Sequence, residues 1–389
     1  MPSQLLLIRG AKQLLTLRGP SGLRRGAALR ELAIIEDGSI LIRDGLIVQV
    51  GSTRRIENLK EVRAAAEIEV AGAIILPGFV DPGIQLRSLS AAALHKRRKV
   101  ADSHEESLAL LRSCLQHGTL NAQLKAASQA LHVDADFTLL RQLNHIGNSP
   151  IGTLRTWRIE TNLSFDPAAT ADFATAAHLL SKRKLASRLE IGGRLDFRTC
   201  QRIWEAACEN HLKMNLAWPN DCASLLPDLL DHLECHFLNS LDLAEPDCDL
   251  LCDSQVPVIF SPTGSLLEDQ PSDRLRRLAD GGAPLALSSG YDAEEMPVFN
   301  MQLAIALAVL RLKLTAEEAI VAATVNAAHA LGLGHSIGTL EIGKRADLIV
   351  MSLPDYREIP RRFGTNHVGM VVREGRIVFN RTGWKVSAA

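Results

Sequence analysis

The sequence lacks an excess of either charge and lacks a long apolar run, and each absence excludes a class of protein. Its 43 Lys and Arg against 44 Asp and Glu give a formal net charge of −1, so no overall attraction to nucleic acid or to an anionic membrane surface is expected. No stretch approaches the roughly 18 uninterrupted apolar residues that a membrane span needs. We therefore predict that neither nucleic acid nor a membrane is a partner of this chain.

A paired cysteine framework is also absent. The seven cysteines are an odd number, scattered from Cys114 to Cys252 in a chain of 389 residues. This pattern fits free thiols in a reducing compartment better than disulfides. The apolar run from Leu5 to Ile8 is too short for the core of a signal peptide. The sequence therefore predicts a cytoplasmic location.

The two ends of the chain share a β pattern. Between residues 5 and 50, short apolar runs are separated by Asp37-Gly38 and Asp44-Gly45, which are strong hairpin signals. The far end repeats the pattern over 346–351 and 368–379, with Glu374-Gly375 as a turn. We therefore predict one β-domain built from residues 1–75 and 333–389.

The middle of the chain, residues 76–332, alternates short apolar runs with helical patterns. Residues 258–260 and 285–287 are typical of buried strands, and 202–211 of a helix. Thr315 followed by Glu318 predicts a capped helix start, and Asp102 or Ser103 is expected to open a helix over 105–116. Alternation over this length predicts an α/β fold with a parallel barrel of roughly 250 residues.

Several motifs resemble those of one enzyme family. They are Leu-Pro-Gly-Phe-Val-Asp-Pro at 76–82, Thr-Val-Asn-Ala-Ala at 324–328, the Gly-Thr-Leu-Glu-Ile-Gly-Lys-Arg-Ala-Asp-Leu stretch at 338–348, and the tail at 356–368. Together they are similar to the imidazolonepropionase branch of the amidohydrolase superfamily, over nearly the whole chain. The resemblance implies a distorted TIM (β/α)8 barrel plus a small composite β-sandwich domain, and hydrolysis of a cyclic amide by water on Zn or Fe.

The family's metal-binding positions carry other residues in this chain. When the family pattern is placed on this sequence, its His-x-His pair falls on Gly83 and Gln85. Its two further histidines fall on Asn215 and Ser240, and its metal-binding aspartate falls on Gly290. The acid that moves protons in the family falls on Trp218. None of these residues has an imidazole or carboxylate for a divalent ion. We therefore expect no metal cofactor and no metal-dependent hydrolysis.

Some polar groups remain near the predicted barrel mouth. Asp81, Lys125, Arg158 and Asp292 lie at or near predicted strand ends, so an acid/base site without metal is one interpretation. Asp81-Pro82 is equally explained as turn chemistry. We interpret Lys125 and Arg158 as occupying the volume and positive charge that a metal would fill. The predicted vestigial pocket comprises Asp81, Gln85, Lys125, Arg158, Asn215, Trp218, Ser240, Gly290 and Asp292.

Three other clusters have both a functional and an ordinary explanation. His232 and His236 have helical spacing for a metal pair, but a solvent-facing helix end explains them as well. Cys248 and Cys252 resemble a soft-metal or redox pair, yet buried helix cysteines have the same spacing. The run Lys96–Lys99 could attract an anionic ligand, or form a solvated loop. The ordinary explanation is favoured for each.

The sequence thus supports two hypotheses. The first is a non-catalytic protein with an imidazolonepropionase-like fold, acting as a binding, scaffold or regulatory subunit. It is expected to bind a small-molecule ligand at the barrel mouth and to form a homodimer, or a heterodimer with an active relative. The alternative is a hydrolase of C–N bonds in a small cyclic amide that is metal-free or uses a relocated site.

Overall fold

A computed structural model describes residues 5–86, 100–128, 133–144, 149–161, 167–193, 197–217, 238–239, 245–266, 273–293 and 295–387. Its strands are β1 Leu5–Leu15, β2 Ile34–Arg43, β3 Leu46–Ser52, β4 Ala66–Glu69, β5 Ile74–Pro77, β6 Phe79–Leu86, β7 Thr119–Ser128, β8 Gly152–Thr161, β9 Arg188–Gly193, β10 Lys213–Leu216, β11 Leu238–Asn239, β12 Val258–Phe260, β13 Leu285–Leu287, β14 Leu348–Met351, β15 Val368–Arg373 and β16 Arg376–Asn380.

The α-helices are α1 Thr53–Glu57, α2 Val100–Gln116, α3 Val133–Asn144, α4 Pro167–Lys182, α5 Phe197–Glu209, α6 Glu245–Asp253, α7 Arg274–Asp280, α8 Met301–Leu310, α9 Ala316–Val321, α10 Ala327–Ala330 and α11 Glu358–Arg361. A π-helical turn, Ala322–Asn326, joins α9 to α10. None of the described helices combines the length and apolarity needed to cross a membrane.

Both ends of the chain contribute to one sheet. Its strand order is β16-β15-β14-β5-β1-β2-β3, and β4 pairs with β1. Alternate residues of these strands, such as Ile40 and Ile42, pack into a common apolar core. The hydrogen bonding is continuous through all eight strands, which form one branched sheet; the predicted β-sandwich arrangement stays a prediction. The boundaries 1–75 and 333–389 stay a prediction.

Two of the three predicted hairpin turns are confirmed. Asp44-Gly45 and Glu374-Gly375 have positive φ at both residues and join β2 to β3 and β15 to β16. The Asp37-Gly38 prediction is wrong, because both residues lie inside β2. Gly38 is there for close packing, since a Cβ on it would collide with Leu14 Cβ.

The second sheet is parallel and sequential, running β6 to β13 in chain order. Its first and last strands approach each other, because Gln85 forms a parallel bridge with Asp292 just beyond β13, and Gln85 N donates to Tyr291 O at 2.8 Å. Helices α2 to α7 alternate with these strands. The result is a TIM-barrel-like α/β fold, hereafter the barrel-like sheet.

Alternation along β7 separates an apolar from a polar face. Leu120, Ala122 and Leu124 belong to the large core that the sheet forms with its helices. The intervening Gln123 and Lys125 are also buried, but on the opposite face. A small apolar cluster that includes Val80, Ile259, Ala286, Leu331 and Ile337 lies on that inner face. The interior is therefore apolar in one part and polar in another.

Two helix predictions can be compared with the structure. Thr315 caps α9 as predicted, with a reciprocal capping box to Glu318. The helix expected over 105–116 is present and ends at Gln116, before Gly118 with its φ of 94°. It begins earlier, at Val100, so the predicted N-cap at Asp102 or Ser103 is wrong, since both residues lie within the helix.

Candidate functional site

A buried ion-pair network lies on the inner face of the barrel-like sheet. Lys125 on β7 places its Nζ 2.9 and 2.8 Å from the two carboxylate oxygens of Glu190 on β9. Arg158 on β8 donates to Glu190 Oε1 at 2.9 Å. The side chains of Lys125 and Glu190 are 5% and 3% exposed, and that of Arg158 is 17% exposed. Two cations therefore share one carboxylate inside the sheet.

This environment shifts the pKa of both partners. Burial lowers the pKa of Lys125 and the charge of Arg158 lowers it further, against the opposing effect of Glu190. For Glu190, burial alone would raise the pKa, but Lys125 and Arg158 together outweigh it and the net pKa is lowered. The Glu190 carboxylate is therefore stabilised in its charged form. The Lys125 ammonium gives up its proton more readily than that of an exposed lysine.

Asn215 lies beside this network. It pairs with Glu190 in the register of β10 and β9 and is fully buried. It is close enough to Glu190 to contribute to that residue's lowered pKa. Within the described part of the chain, however, its amide nitrogen and oxygen make no hydrogen bond of normal geometry. Asn215 therefore lies against the Glu190 carboxylate and belongs to the same network.

Asp81 connects the first and last strands. Its Oδ1 accepts from Gly83 N at 3.1 Å, from Ser288 Oγ at 2.9 Å and from Ser289 N at 3.2 Å, and its Oδ2 accepts from Ser289 Oγ. The side chain is completely buried, and burial raises its pKa despite these bonds. The contacts give Asp81 a structural part in joining β6 to the segment after β13.

Gln85 and Asp292, both predicted for the pocket, are brought together. Gln85 Nε2 donates to Asp292 Oδ2 at 2.6 Å, next to the backbone bridge between the same residues. The amide is therefore engaged in joining the two edges of the sheet. This pair, like Asp81, contributes to the closure of the fold.

Gly83 and Gly290, which the resemblance places at metal-binding positions, have no side-chain ligand atom for a divalent cation. A Cβ placed on Gly83 would lie 2.5 Å from Ser288 Oγ and 3.9 Å from Lys125 Nζ, so a cationic group lies next to this position. Gly290 has a φ of 67°, and a Cβ there would collide with Ser261 Oγ. No group of three or more His, Cys, Asp or Glu suited to a metal occurs among the residues that the structure describes.

Several predicted residues lie outside the described ranges. They are Trp218, Ser240, His232, His236 and the run Lys96–Lys99. Of the remaining predicted residues, Lys125, Arg158 and Asn215 come together, Gln85 joins Asp292, and Gly290 lies against Ser261. Glu190, the centre of the network, was missed. Its only sequence signal is one acid between the apolar residues Leu189 and Ile191.

The cysteine pair lies away from this network, on α6. Cys248 is buried and Cys252 is partly buried, and both are free thiols. Burial raises the pKa of both, which disfavours the thiolate that a metal or a redox reaction needs. Cys252 borders a cleft of about 590 Å³ whose charged walls are ion-paired, for example Arg277 with Asp249 at 3.0 Å. These contacts favour a structural explanation for the pair.

Comparisons with known proteins agree with the fold and indicate a family likeness. Residues 258–378 match the Amidohydrolase family. The imidazolonepropionase of Alkaliphilus metalliredigens is 27% identical over 424 residues, covering 97% of this chain and 98% of that protein. The imidazolonepropionase of Chloroflexus aggregans is 28% identical over 430 residues, covering 96% and 98%.

Solved structures share the architecture. E. coli guanine deaminase superposes with a TM-score of 0.71 at 19% identity, covering 97% of this chain and 99% of that one. A triazine hydrolase variant gives a TM-score of 0.73 at 15% identity, covering 97% and 95%. At these identities the likeness establishes the fold alone. The chain is thus imidazolonepropionase-like in sequence and has an amidohydrolase-type fold.

Proposed function

We propose that this imidazolonepropionase-like protein has lost metal-dependent hydrolysis and acts as a binding or regulatory protein. The observation that carries the proposal is the Lys125 ammonium, which lies beside Gly83 where the family has its first metal-binding histidine. Glu190 fixes the ammonium with hydrogen bonds to both carboxylate oxygens. The site therefore holds the cationic Lys125 side chain where a metal would need ligands.

The positive charge of Lys125 opposes the binding of a metal ion beside Gly83. A divalent ion bound near this ammonium would be repelled, because like charges interact strongly where water is largely excluded. Gly83, Gln85 and Asn215 supply no imidazole or carboxylate to offset that repulsion. The net balance therefore opposes metal binding, and with it the activation of water by a metal.

The ligand and partners are part of the same proposal. Barrel enzymes bind small molecules at the carboxyl ends of their strands, and Arg158 keeps part of its side chain exposed near that end. We propose a small-molecule ligand there, in a cytoplasmic homodimer or a heterodimer with an active relative. Neither nucleic acid nor a membrane is part of this proposal.

The decisive experiment combines metal analysis with an activity assay. Protein purified without chelator should contain Zn, Fe and Mn well below one equivalent per chain, and should not hydrolyse imidazolone propionate above background. The Lys125→Met variant is the informative comparison, since it removes the cation but restores no ligand, and it should stay metal-poor. One tightly bound ion per chain, with turnover that EDTA abolishes, would refute the proposal.

A metal-free hydrolase is a second candidate, and the Lys125–Glu190 pair favours it. Buried acid and base groups with shifted pKa values are common in active sites, although structural ion pairs also produce them. This function predicts turnover of a cyclic amide that is insensitive to EDTA and falls at least about 100-fold in Glu190→Gln. The exposed Glu209→Gln on α5 is the matched control. Absence of turnover on a panel of cyclic amides would exclude this candidate.

A further inference from the structure

A cluster of positive charge lies at the amino ends of β9 and β10, opposite to the end of the sheet where we propose a small-molecule ligand. It consists of five cationic side chains, hereafter the cationic face: Arg155, Lys182, Arg183, Lys184 and Lys213. Lys182 to Lys184 lie between α4 and β9, Arg155 lies on β8, and Lys213 begins β10. All are exposed except Arg155, which is partly buried.

Hydrogen bonds hold the segments of the cationic face together. Arg155 Nε donates to Leu185 O at 2.9 Å, and its Nη2 donates to Lys184 O at 3.2 Å. Ser187 N donates to Arg155 O at 3.1 Å, and Lys213 N donates to Ser187 O at 3.1 Å. The loop before β9 is therefore fixed between β8 and the start of β10, so that the five cations share one surface.

The charge of the cationic face is not neutralised among the residues that the structure describes. None of its five side chains forms an ion pair with a described carboxylate, and residues 182–188 and 210–213 contain no acid. Burial lowers the pKa of Arg155, and no carboxylate offsets this effect. Other exposed cations do pair, as Lys313 does with Asp273 at 2.6 Å. The cationic face therefore has an excess of positive charge.

The helix dipole explains only part of this cluster. Lys182 and Arg183 lie at the carboxyl end of α4, where cations stabilise a helix. That effect is confined to the last turn of the helix. It does not account for Arg155 or Lys213, which lie on strands.

We propose that the cationic face binds an acidic segment, rich in Asp and Glu, of a partner protein. Complementary charge attracts and orients such a segment. Nucleic acid fits less well, because residues 182–188 and 210–213 contain no Phe, Tyr or Trp on which bases could stack. The Arg155 guanidinium also uses two of its donors on backbone carbonyls, which opposes a two-pronged contact with phosphate.

This inference goes beyond the proposed function. It concerns the opposite end of the strands and a different class of ligand, and it does not depend on the loss of hydrolysis. Metal content and turnover test the proposed function, whereas the experiment below measures neither.

Binding of fluorescein-labelled poly-L-glutamate to the full chain tests the proposal. Fluorescence anisotropy should show binding at low salt that weakens as salt is added. The test variant carries Lys182→Gln, Arg183→Gln and Lys213→Gln. An exposed ionic contact changes an affinity roughly 1.4- to 5-fold, so loss of three should weaken binding by about 10-fold.

A matched variant removes the same charge from another surface. Arg54→Gln, Arg55→Gln and Lys60→Gln change exposed cations in and just after α1, and should alter the affinity by less than about 2-fold because salt screens distant charges. Circular dichroism checks that both variants are folded. Equal weakening in the two variants would show an effect of net charge alone and would overturn the proposal.

Two measurements on the wild-type chain decide the question even where a variant fails to fold. Carbodiimide cross-linking of poly-L-glutamate, followed by peptide mapping, should modify Lys182, Lys184 or Lys213 in preference to Lys60. No binding at low salt, or cross-links mainly at Lys60, would contradict the inference. Inorganic polyphosphate or single-stranded DNA that binds as tightly as poly-L-glutamate would also overturn it, since the surface would then not select carboxylates.

Discussion

Removing the charge of Glu190 should destabilise the protein strongly. In Glu190→Gln, the neutral amide removes the carboxylate that the largely buried Lys125 and Arg158 share. At 2.9 Å and an effective dielectric constant of about 20, each pair contributes about 6 kcal/mol of attraction. The desolvation of Glu190 is regained on substitution, so the net loss is smaller. Buried pairs that lose one partner typically cost about 3–5 kcal/mol, and we expect a loss in this range.

Equilibrium unfolding in urea at pH 7, followed by circular dichroism, measures this effect. Glu209→Gln, on the exposed face of α5, should change the free energy of unfolding by less than about 0.5 kcal/mol. A triple change of Lys125, Arg158 and Glu190 to Met should recover much of the loss, because all three charges of the network are then removed together. A Glu190→Gln variant within about 1 kcal/mol of wild type would refute the reasoning.

The same comparison has a defined pH dependence. The pKa of Glu190 is lowered from its ordinary value of 4.5. A carboxyl group whose folded pKa is lowered stabilises the protein above the unfolded pKa and loses that contribution as the pH falls through the folded pKa. The difference in free energy of unfolding between wild type and Glu190→Gln should therefore be constant from about pH 5 to 7. It should shrink as the pH falls below the ordinary glutamate pKa of 4.5.

Three further substitutions test other parts of the structure. Burial raises the pKa of Asp81 above its ordinary 3.8, so wild type should lose stability relative to Asp81→Asn as the pH rises from that value, and a difference in free energy of unfolding that stays constant from about pH 4 to 7 would contradict this. Thr315→Ala should cost about 1 kcal/mol in thermal unfolding, whereas Ser52→Ala, at an N-cap without a side-chain bond, should cost much less. Gly290→Ala should cost about 2 kcal/mol or more, because its φ of 67° disfavours a side chain; Gly264→Ala, with nothing within 4 Å of the added methyl, is its control in urea unfolding.

The features that the sequence predicts best are local ones. The Thr315 capping box and the Asp44-Gly45 turn each depend on contacts between residues close in the chain. The identical Asp-Gly signal at Asp37 fails, because there a glycine meets Leu14 on a neighbouring strand. A dipeptide alone does not distinguish a turn from a close approach between strands. The difference lies in tertiary packing, which no short window of sequence contains.

The candidate site depends on contacts of long range, and this is why only part of it was predicted. Lys125 and Arg158 were identified from their positions near strand ends. Glu190 was missed, although it contacts both, because its partners lie 65 and 32 residues away in the chain. The parallel register of neighbouring strands brings these residues together. A rule that pairs isolated charges on adjacent parallel strands would have found it.

Introducing ligand residues at Gly83 and Gly290 alone is not expected to create a metal site. A histidine at Gly83 would have to displace the Ser288 hydroxyl, which is hydrogen-bonded to Asp81. An aspartate at Gly290 would need an unfavourable backbone conformation and the space that Ser261 fills. Lys125 would still place its charge against the incoming ion. The surroundings of Gly83 and Gly290 therefore fit the glycines that are present, so that creating a metal site would require changes in the neighbouring serines and in the ion-pair network as well.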